Sequence, residues 1–204
     1  MSVTVVDHPL VAQLLTGLRD EATPTPAFRA LARRIALALV LEATRDLPSR
    51  TVDVRTPLAP TRGVALEDLV VVPILRAGLG MLDATLELFP DVTVGYLGLE
   101  RDEASLDAAS YYRKFPPVDG RHVLVLDPML ATGGSGSAAC TAVRERGPAS
   151  IRFACVVAAP EGIARMTADH PDVPIVTAAI DERLNERGYI VPGLGDFGDR
   201  LFGT

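Results

Sequence analysis

The sequence predicts an α/β fold, a parallel sheet flanked by helices with a modest appendage, and three observations carry that expectation. Apolar, β-branched runs alternate along the chain with stretches at helical spacing. The run Leu69–Leu75 is apolar without interruption, as a strand buried on both faces requires. The 204 residues, 48% of them hydrophobic, suffice for one sizeable core, and no repeat or linker divides them. The expected unit is one domain over residues 1–204.

Asp7 to Asp20 reads as a first helix, with Pro9 in its opening turn. A second helix is expected from Pro26 to Asp46, where Thr25 suits the N-cap and Pro26 the first helical position. Phe28, Leu31, Ala32, Ile35, Ala38 and Leu39 mark its apolar face, and Arg29, Arg33 and Arg34 lie largely off it. Glu42 falls on that stripe and reads as a local ion-pair partner of Arg45. Pro48 stops the helix. Thr51 to Pro57 sets Val52 and Val54 against Asp53 and Arg55, the alternation of a half-buried strand. Leu69–Leu75 is then a central strand, Ala77–Phe89 a helix and Val92–Leu99 another strand. Ser105–Val118 has little periodicity and two prolines, so a long loop or short hairpin is expected. His122–Asp127 is the next strand and Ser135–Arg146 its helix. Ile151–Ala158 and Pro174–Ile180 are later strands around a helix from Gly162 to Asp169. The tail, Asp181 to Thr204, is Gly-rich and reads as irregular.

Composition excludes some functions. A net charge of −6 without a Lys/Arg run argues against nucleic acid as a partner. No uncharged apolar run is long enough to span a membrane, and MSVTVVDHP has no basic region before an apolar stretch, so neither a membrane partner nor a secretory signal is expected. Cys140 and Cys155, the only cysteines, lie among small and apolar residues and read as core side chains. A cytoplasmic enzyme follows most naturally. His8, His122 and His170 lie outside the strong motifs and read as structural.

Three stretches carry chemistry. Asp127-Pro128-Met129-Leu130-Ala131-Thr132-Gly133-Gly134-Ser135 follows a strand and opens a helix. It sets a carboxylate at a strand end and delivers backbone N–H groups to a helix N-terminus, an arrangement suited to a sugar phosphate. Pro73 to Met81 places Arg76, a planar cation suited to diphosphate oxygens, beside Gly78 and Gly80, which would let backbone approach a ligand. The tail string Tyr189 to Asp196 is rigid in Gly and Pro, and its backbone groups could match the donors and acceptors of a pyrimidine edge.

Residues 127–135 resemble the phosphoribosyl-diphosphate motif of the type I phosphoribosyltransferases, in the version of the uracil phosphoribosyltransferase family. The resemblance extends to Asp7–Leu10, Leu18–Asp20, Phe28–Leu31, Glu42–Leu47, Pro73–Met81, Ala158–Gly162 and the tail. It implies a parallel sheet flanked by helices, with a small hood that binds the base. It also implies that Arg76, Arg101, Asp127 through Ser135 and Asp196 contact the phosphoribosyl donor, with Asp127, Arg101 and Asp196 as catalytic residues. Ile190, Gly195, Asp196 and Phe197 would line the uracil pocket. YYRKFP, Tyr111 to Pro116, resembles the family's mobile donor-covering loop. Mg²⁺ is the implied cofactor, held through donor oxygens rather than by direct protein ligands. A homodimer or larger homo-oligomer is implied, with apolar surface on the early helices. Control by GTP, found in some relatives, is left open. Two positions stand out. The wider class usually has two adjacent acids where this chain has Asp127-Pro128, a loss the uracil branch shares. Phe197 stands where the family usually has alanine.

The implied reaction moves ribose 5-phosphate from 5-phospho-α-D-ribose 1-diphosphate to N1 of uracil. Its partners are small molecules: uracil, the donor, UMP and diphosphate. Two alternatives remain at this point: the same donor chemistry on another base, and a uracil-nucleotide sensor that binds RNA and regulates pyrimidine genes. The second would need a basic face.

Overall fold

The computed structural model describes residues 2–101 and 108–204. The N-terminal part runs β1 (Val3–Val5), α1 (Pro9–Arg19), α2 (Thr25–Ala43), β2 (Ser49–Arg55) and β3 (Pro60–Leu66). The middle runs β4 (Leu69–Leu75), α3 (Leu79–Leu88), β5 (Thr93–Val94), β6 (Tyr96–Arg101), β7 (Ala108–Lys114), β8 (His122–Leu126), β9 (Met129–Leu130) and α4 (Gly134–Arg144). The rest comprises β10 (Ser150–Ala158), α5 (Pro160–Asp169), β11 (Ile175–Ile180), β12 (Arg183–Leu184), β13 (Ile190–Val191) and α6 (Phe197–Phe202).

The main sheet has the order β1-β11-β10-β8-β4-β6-β7, with β5 beside β4 and β9 beside β10. All its pairings are parallel except β6 with β7. The uninterrupted apolar runs are explained by two cores, one on each face. Val71, Leu124, Leu126, Ala154, Val156 and Val176 face α1, α2, α3 and α6. Val70, Val72, Val123, Val125, Phe153, Cys155 and Ile175 face α4 and α5. Successive strand residues alternate between these layers, so both must be apolar. Cys140 and Cys155 are fully buried, and burial pushes both thiols up to about 12. They are core side chains, as expected.

Helix α1 starts at Pro9 because His8 caps it: Leu10 N–H donates to His8 Nδ1 at 3.0 Å. Helix α2 begins at Thr25, one residue earlier than expected, so Thr25 is not the cap and Pro26 is second. It ends at Ala43, before Pro48 acts, as the Thr44 hydroxyl donates back to Val40 O at 2.7 Å. Glu42 and Arg45 form the expected local pair, with Arg45 Nε donating to both carboxylate oxygens at 3.0 and 2.9 Å.

Several expectations are corrected. The alternating stretch at Thr51–Pro57 does not lie half-buried on the core. β2 pairs antiparallel with β3 as a separate two-stranded arm, mostly exposed, and Leu58 at its tip is 96% exposed. β1 was not foreseen: three residues are too few for a period to register, and its order comes from pairing with β11. The single strand expected at Val92–Leu99 is broken at Gly95, whose N–H bonds Val71 O at 2.8 Å. Of the two readings for Ser105–Val118, the hairpin holds for β7, which pairs with β6; residues 102–107 lie outside the described part. The tail is not irregular: it carries the β12–β13 hairpin and α6. No helix among the described residues is long and apolar enough to cross a membrane.

Candidate active site

The sheet reverses its direction of winding between β4 and β8. From β4 the chain crosses one face through α3 to β6; from β8 it crosses the other through α4 to β10. Such a reversal leaves a crevice outside the carboxyl ends of the two strands. Arg76 follows β4 and Asp127 follows β8, so the two loops singled out from sequence flank that crevice.

Asp127 is half-buried, and the Met129 N–H donates to its Oδ1 at 3.3 Å. Burial pushes its carboxyl from the ordinary 3.8 up to about 7, against the opposing effect of that hydrogen bond. A nearby cation would return it to the charged form. Pro128, Met129 and Leu130 are tied into the sheet: Pro128 O accepts from the N–H groups of Val156 and Val157 at 2.9 and 3.1 Å, and β9 pairs with the end of β10.

The N–H cradle therefore begins beyond Ala131. Thr132 Oγ1 accepts the Gly134 N–H at 3.4 Å. Gly133 has φ 79°, and a Cβ there would stand 2.8 Å from Gly162 O, so only glycine fits this corner. The first α4 bond joins Ser137 N–H to Gly133 O at 2.9 Å. The N–H groups of residues 134–136 therefore precede the intrahelical ladder, at the positive end of the helix dipole. Ser135 lies within this first turn.

Arg165 of α5 was passed over by the sequence reading, because a lone arginine in a helix carries no motif. Its guanidinium Nη1 stands 3.4 Å from where a Gly134 Cβ would be, and its Nε pairs with Asp169 Oδ2 at 3.5 Å. A cation thus sits at the edge of the cradle.

Arg76 is exposed, 3.5 Å from Asp199 Oδ1 and 6.0 Å from the Phe202 ring centroid, both on α6. Gly78 and Gly80 do not open backbone to a ligand. A Cβ on Gly78 would meet Leu126 O at 2.5 Å, and one on Gly80 would meet the Phe197 ring at 2.8 Å. Both glycines permit close packing within the protein. Arg101 closes β6, and its side chain lies outside the described part of the structure.

A cavity of about 320 Å³ opens between the rim and the tail. Ala77, Met129 and Ala131 wall one side; Arg187, Gly188, Tyr189, Ile190 and the stretch Gly195–Gly198 wall the other. Ile190, Gly195, Asp196 and Phe197 are thus brought together. Met129 and Ala131, read from sequence as donor contacts, stand against this cavity. Tyr189 belongs to the tail string already singled out, while Ala77, Arg187, Gly188 and Gly198 are additional walls that residue type alone did not signal. Asp196 is exposed and its Oδ1 accepts the Asp199 N–H at 2.9 Å, capping α6. The Phe197 ring is committed to the core, 1% exposed and edge-on to Phe28 at 5.1 Å. His8, His122 and His170 all serve local structure: His122 Nδ1 lies 2.8 Å from Ser150 Oγ, and His170 Nε2 2.9 Å from Ser137 O.

Comparison with known proteins follows the same lines. A family model described as uracil phosphoribosyltransferase matches residues 5–204. The chain is 52% identical to the uracil phosphoribosyltransferase of Dictyoglomus thermophilum, over 99% of each chain. It is 51% identical to that of Geobacillus kaustophilus, over 99% of this chain and 98% of the relative. A solved protein from Aquifex aeolicus superimposes with a TM-score of 0.95 at 38% identity, covering 99% and 98% of the two chains. A hypoxanthine phosphoribosyltransferase from Staphylococcus aureus shares the fold at 13% identity and a TM-score of 0.54, over 81% of this chain and 85% of that one.

Proposed function

The chain belongs to the uracil phosphoribosyltransferase family, and we propose that its rim crevice transfers ribose 5-phosphate from 5-phospho-α-D-ribose 1-diphosphate to N1 of uracil. The products are UMP and diphosphate. One observation carries the assignment of parts: an N–H cradle with a carboxylate at its entry and a base-sized cavity under the tail share one edge, formed by Met129 and Ala131.

Each part has a task. The N–H groups of residues 134–136, with the α4 dipole and Arg165, hold the 5′-phosphate. Asp127 accepts from the ribose hydroxyls and, when ionised, opposes the positive charge that develops on the ring as the C1–O bond breaks. Arg76 leaves Asp199 to grip the diphosphate, and Arg101 joins it. The segment Gly195–Gly198 presents backbone groups to the uracil edge, while Met129, Ala131 and Ile190 enclose its faces. The C1–N1 bond forms on the side opposite the departing diphosphate, and the N1 proton is lost. Holding both reactants against one rim converts a two-body encounter into an oriented step.

Mg²⁺ fits this donor set. It takes one or two carboxylates together with substrate phosphate oxygens; Asp127 follows β8 and the exposed Asp196 lines the cavity, with Asp199 beside Arg76. It would ride chiefly on the donor's oxygens and supply neutralisation of the leaving diphosphate.

Assembly as a homo-oligomer belongs to the same reading, supported by the exposed Leu58 and Val64 of the arm and by Leu10 and Leu41 on the early helices. A cytoplasmic setting suits two free, buried cysteines.

The test is UMP formation from uracil, donor and Mg²⁺, followed spectrophotometrically beside cytosine, orotate and hypoxanthine. Uracil should be the strongly preferred base. Equal turnover of another base, or none of uracil, would overturn the reading.

A further inference from the structure

Arg19 lies in the string Leu18–Asp20, which matched the family without a role. Its guanidinium faces the carboxylate of Asp181, at the end of β11, with Nη1 donating to Oδ2 at 2.8 Å and Nη2 to Oδ1 at 2.5 Å. The Asp181 side chain is only 4% exposed. Both partners then turn to one residue of the tail loop. Arg19 Nη1 donates to Gly193 O at 2.6 Å, and the Gly193 N–H donates to Asp181 Oδ2 at 2.8 Å. A second arginine closes the loop from the other end. Arg200 Nη1 donates to Leu194 O at 2.8 Å and also to Leu18 O, and its Nη2 donates to Asp20 O at 2.5 Å. The Arg200 guanidinium lies over the Phe28 ring, 4.5 Å from its centroid.

These contacts share one geometry. The bonds link the end of α1, the Asp181 carboxylate and Arg200 of α6 to one another and to Gly193 and Leu194, the two residues that precede the cavity wall Gly195–Gly198. Both backbone groups of Gly193 and the carbonyl of Leu194 are occupied, so they are not the groups that read the base. What they do is fix where the next residues stand.

We propose that Arg19 and Asp181 form a positioning clamp for uracil recognition, holding Gly193 so that the backbone of Gly195–Gly198 meets the pyrimidine edge in register. The clamp touches no substrate. It acts through the loop, and the donor cradle on α4 lies outside it. Charge-assisted, bidentate and mostly buried contacts suit that task, because they fix angle as well as distance. Lysine, with one point charge, cannot hold the carboxylate and the carbonyl in the same plane.

The inference rests on the function proposed above, so its test includes a readout independent of turnover. Arg19→Lys and Asp181→Asn would be compared with wild type in three measurements: KM for uracil, KM for the donor, and backbone hydrogen exchange at 193–198 against that at 134–144. A displaced recognition loop should raise the uracil KM on the order of tenfold or more, leave the donor KM within about twofold, and speed exchange at 193–198 alone. Unchanged uracil KM, or equal rises in both KM values, would overturn the clamp. If wild type makes no UMP, the functional reading fails, and exchange confined to 193–198 still decides whether the clamp holds the loop. Unchanged exchange there would overturn the clamp on its own.

Discussion

Arg76, at the end of β4, lies 3.5 Å from Asp199 on α6, so the loop proposed to meet the donor is tied to the tail proposed to meet the base. Both partners are at least half exposed, and such pairs contribute about 0–1 kcal/mol. Arg76 can therefore exchange Asp199 for a diphosphate at little cost. Arg76→Ala should raise the donor KM by roughly tenfold to a hundredfold through the loss of charge-assisted bonds. Asp199→Ala should change it by less than about fivefold. Initial-rate kinetics on both variants check the pair.

Asp127 gives a pH prediction. Its carboxyl is pushed up to about 7, so kcat/KM for the donor should rise with pH through that region, because the ionised form does the work. Stability runs the other way. A carboxyl raised in the folded state from an ordinary 3.8 contributes fully below that value, and the contribution is lost as pH rises through about 7. Asp127→Asn should lower kcat on the order of a hundredfold, abolish the pH-dependent limb, and flatten the fall in stability between pH 4 and 8. Near-normal turnover would remove Asp127 from the mechanism.

The phosphate cradle can be damaged from two sides. Gly133→Ala forces a Cβ toward Gly162 O in a left-handed conformation, a strain of about 1–3 kcal/mol. It should raise the donor KM and lower the melting temperature together. Arg165→Ala should raise the donor KM several-fold and steepen no stability loss, since the side chain is nearly half exposed. Uracil KM measured on the same variants should stay close to wild type.

Phe197→Ala would empty a fully buried site against Phe28 and Gly80, at a cost of about 3–5 kcal/mol. Thermal unfolding should show that loss, and the uracil KM should rise because the same residue's backbone stands in the cavity wall.

Strands buried on both faces were plain in the sequence, because two covering layers force runs such as Leu69–Leu75 and Val123–Leu126 to be apolar throughout. The strand-to-helix turn at Asp127–Ser135 was legible for a similar reason: an apolar strand, an acid, paired glycines and a small-residue helix start follow one another in that order. The β2–β3 arm was misread because its alternation looks the same whether one face meets a core or solvent. Gly78 and Gly80 were misassigned because sequence says that backbone comes close to something, not to what. Arg165, and the Arg19–Asp181 contact across 162 residues, had no local signal at all.

The central claim places a carboxylate and the α4 amides on the sugar phosphate, with the tail over the base. A crystal structure with a non-reactive donor analogue, Mg²⁺ and uracil tests it most directly. The account predicts the 5′-phosphate on the N–H groups of residues 134–136, the ribose hydroxyls within hydrogen-bond reach of Asp127, and uracil in plane with the backbone of Gly195–Gly198. A sugar phosphate bound away from that rim, or uracil outside the tail cavity, would contradict it.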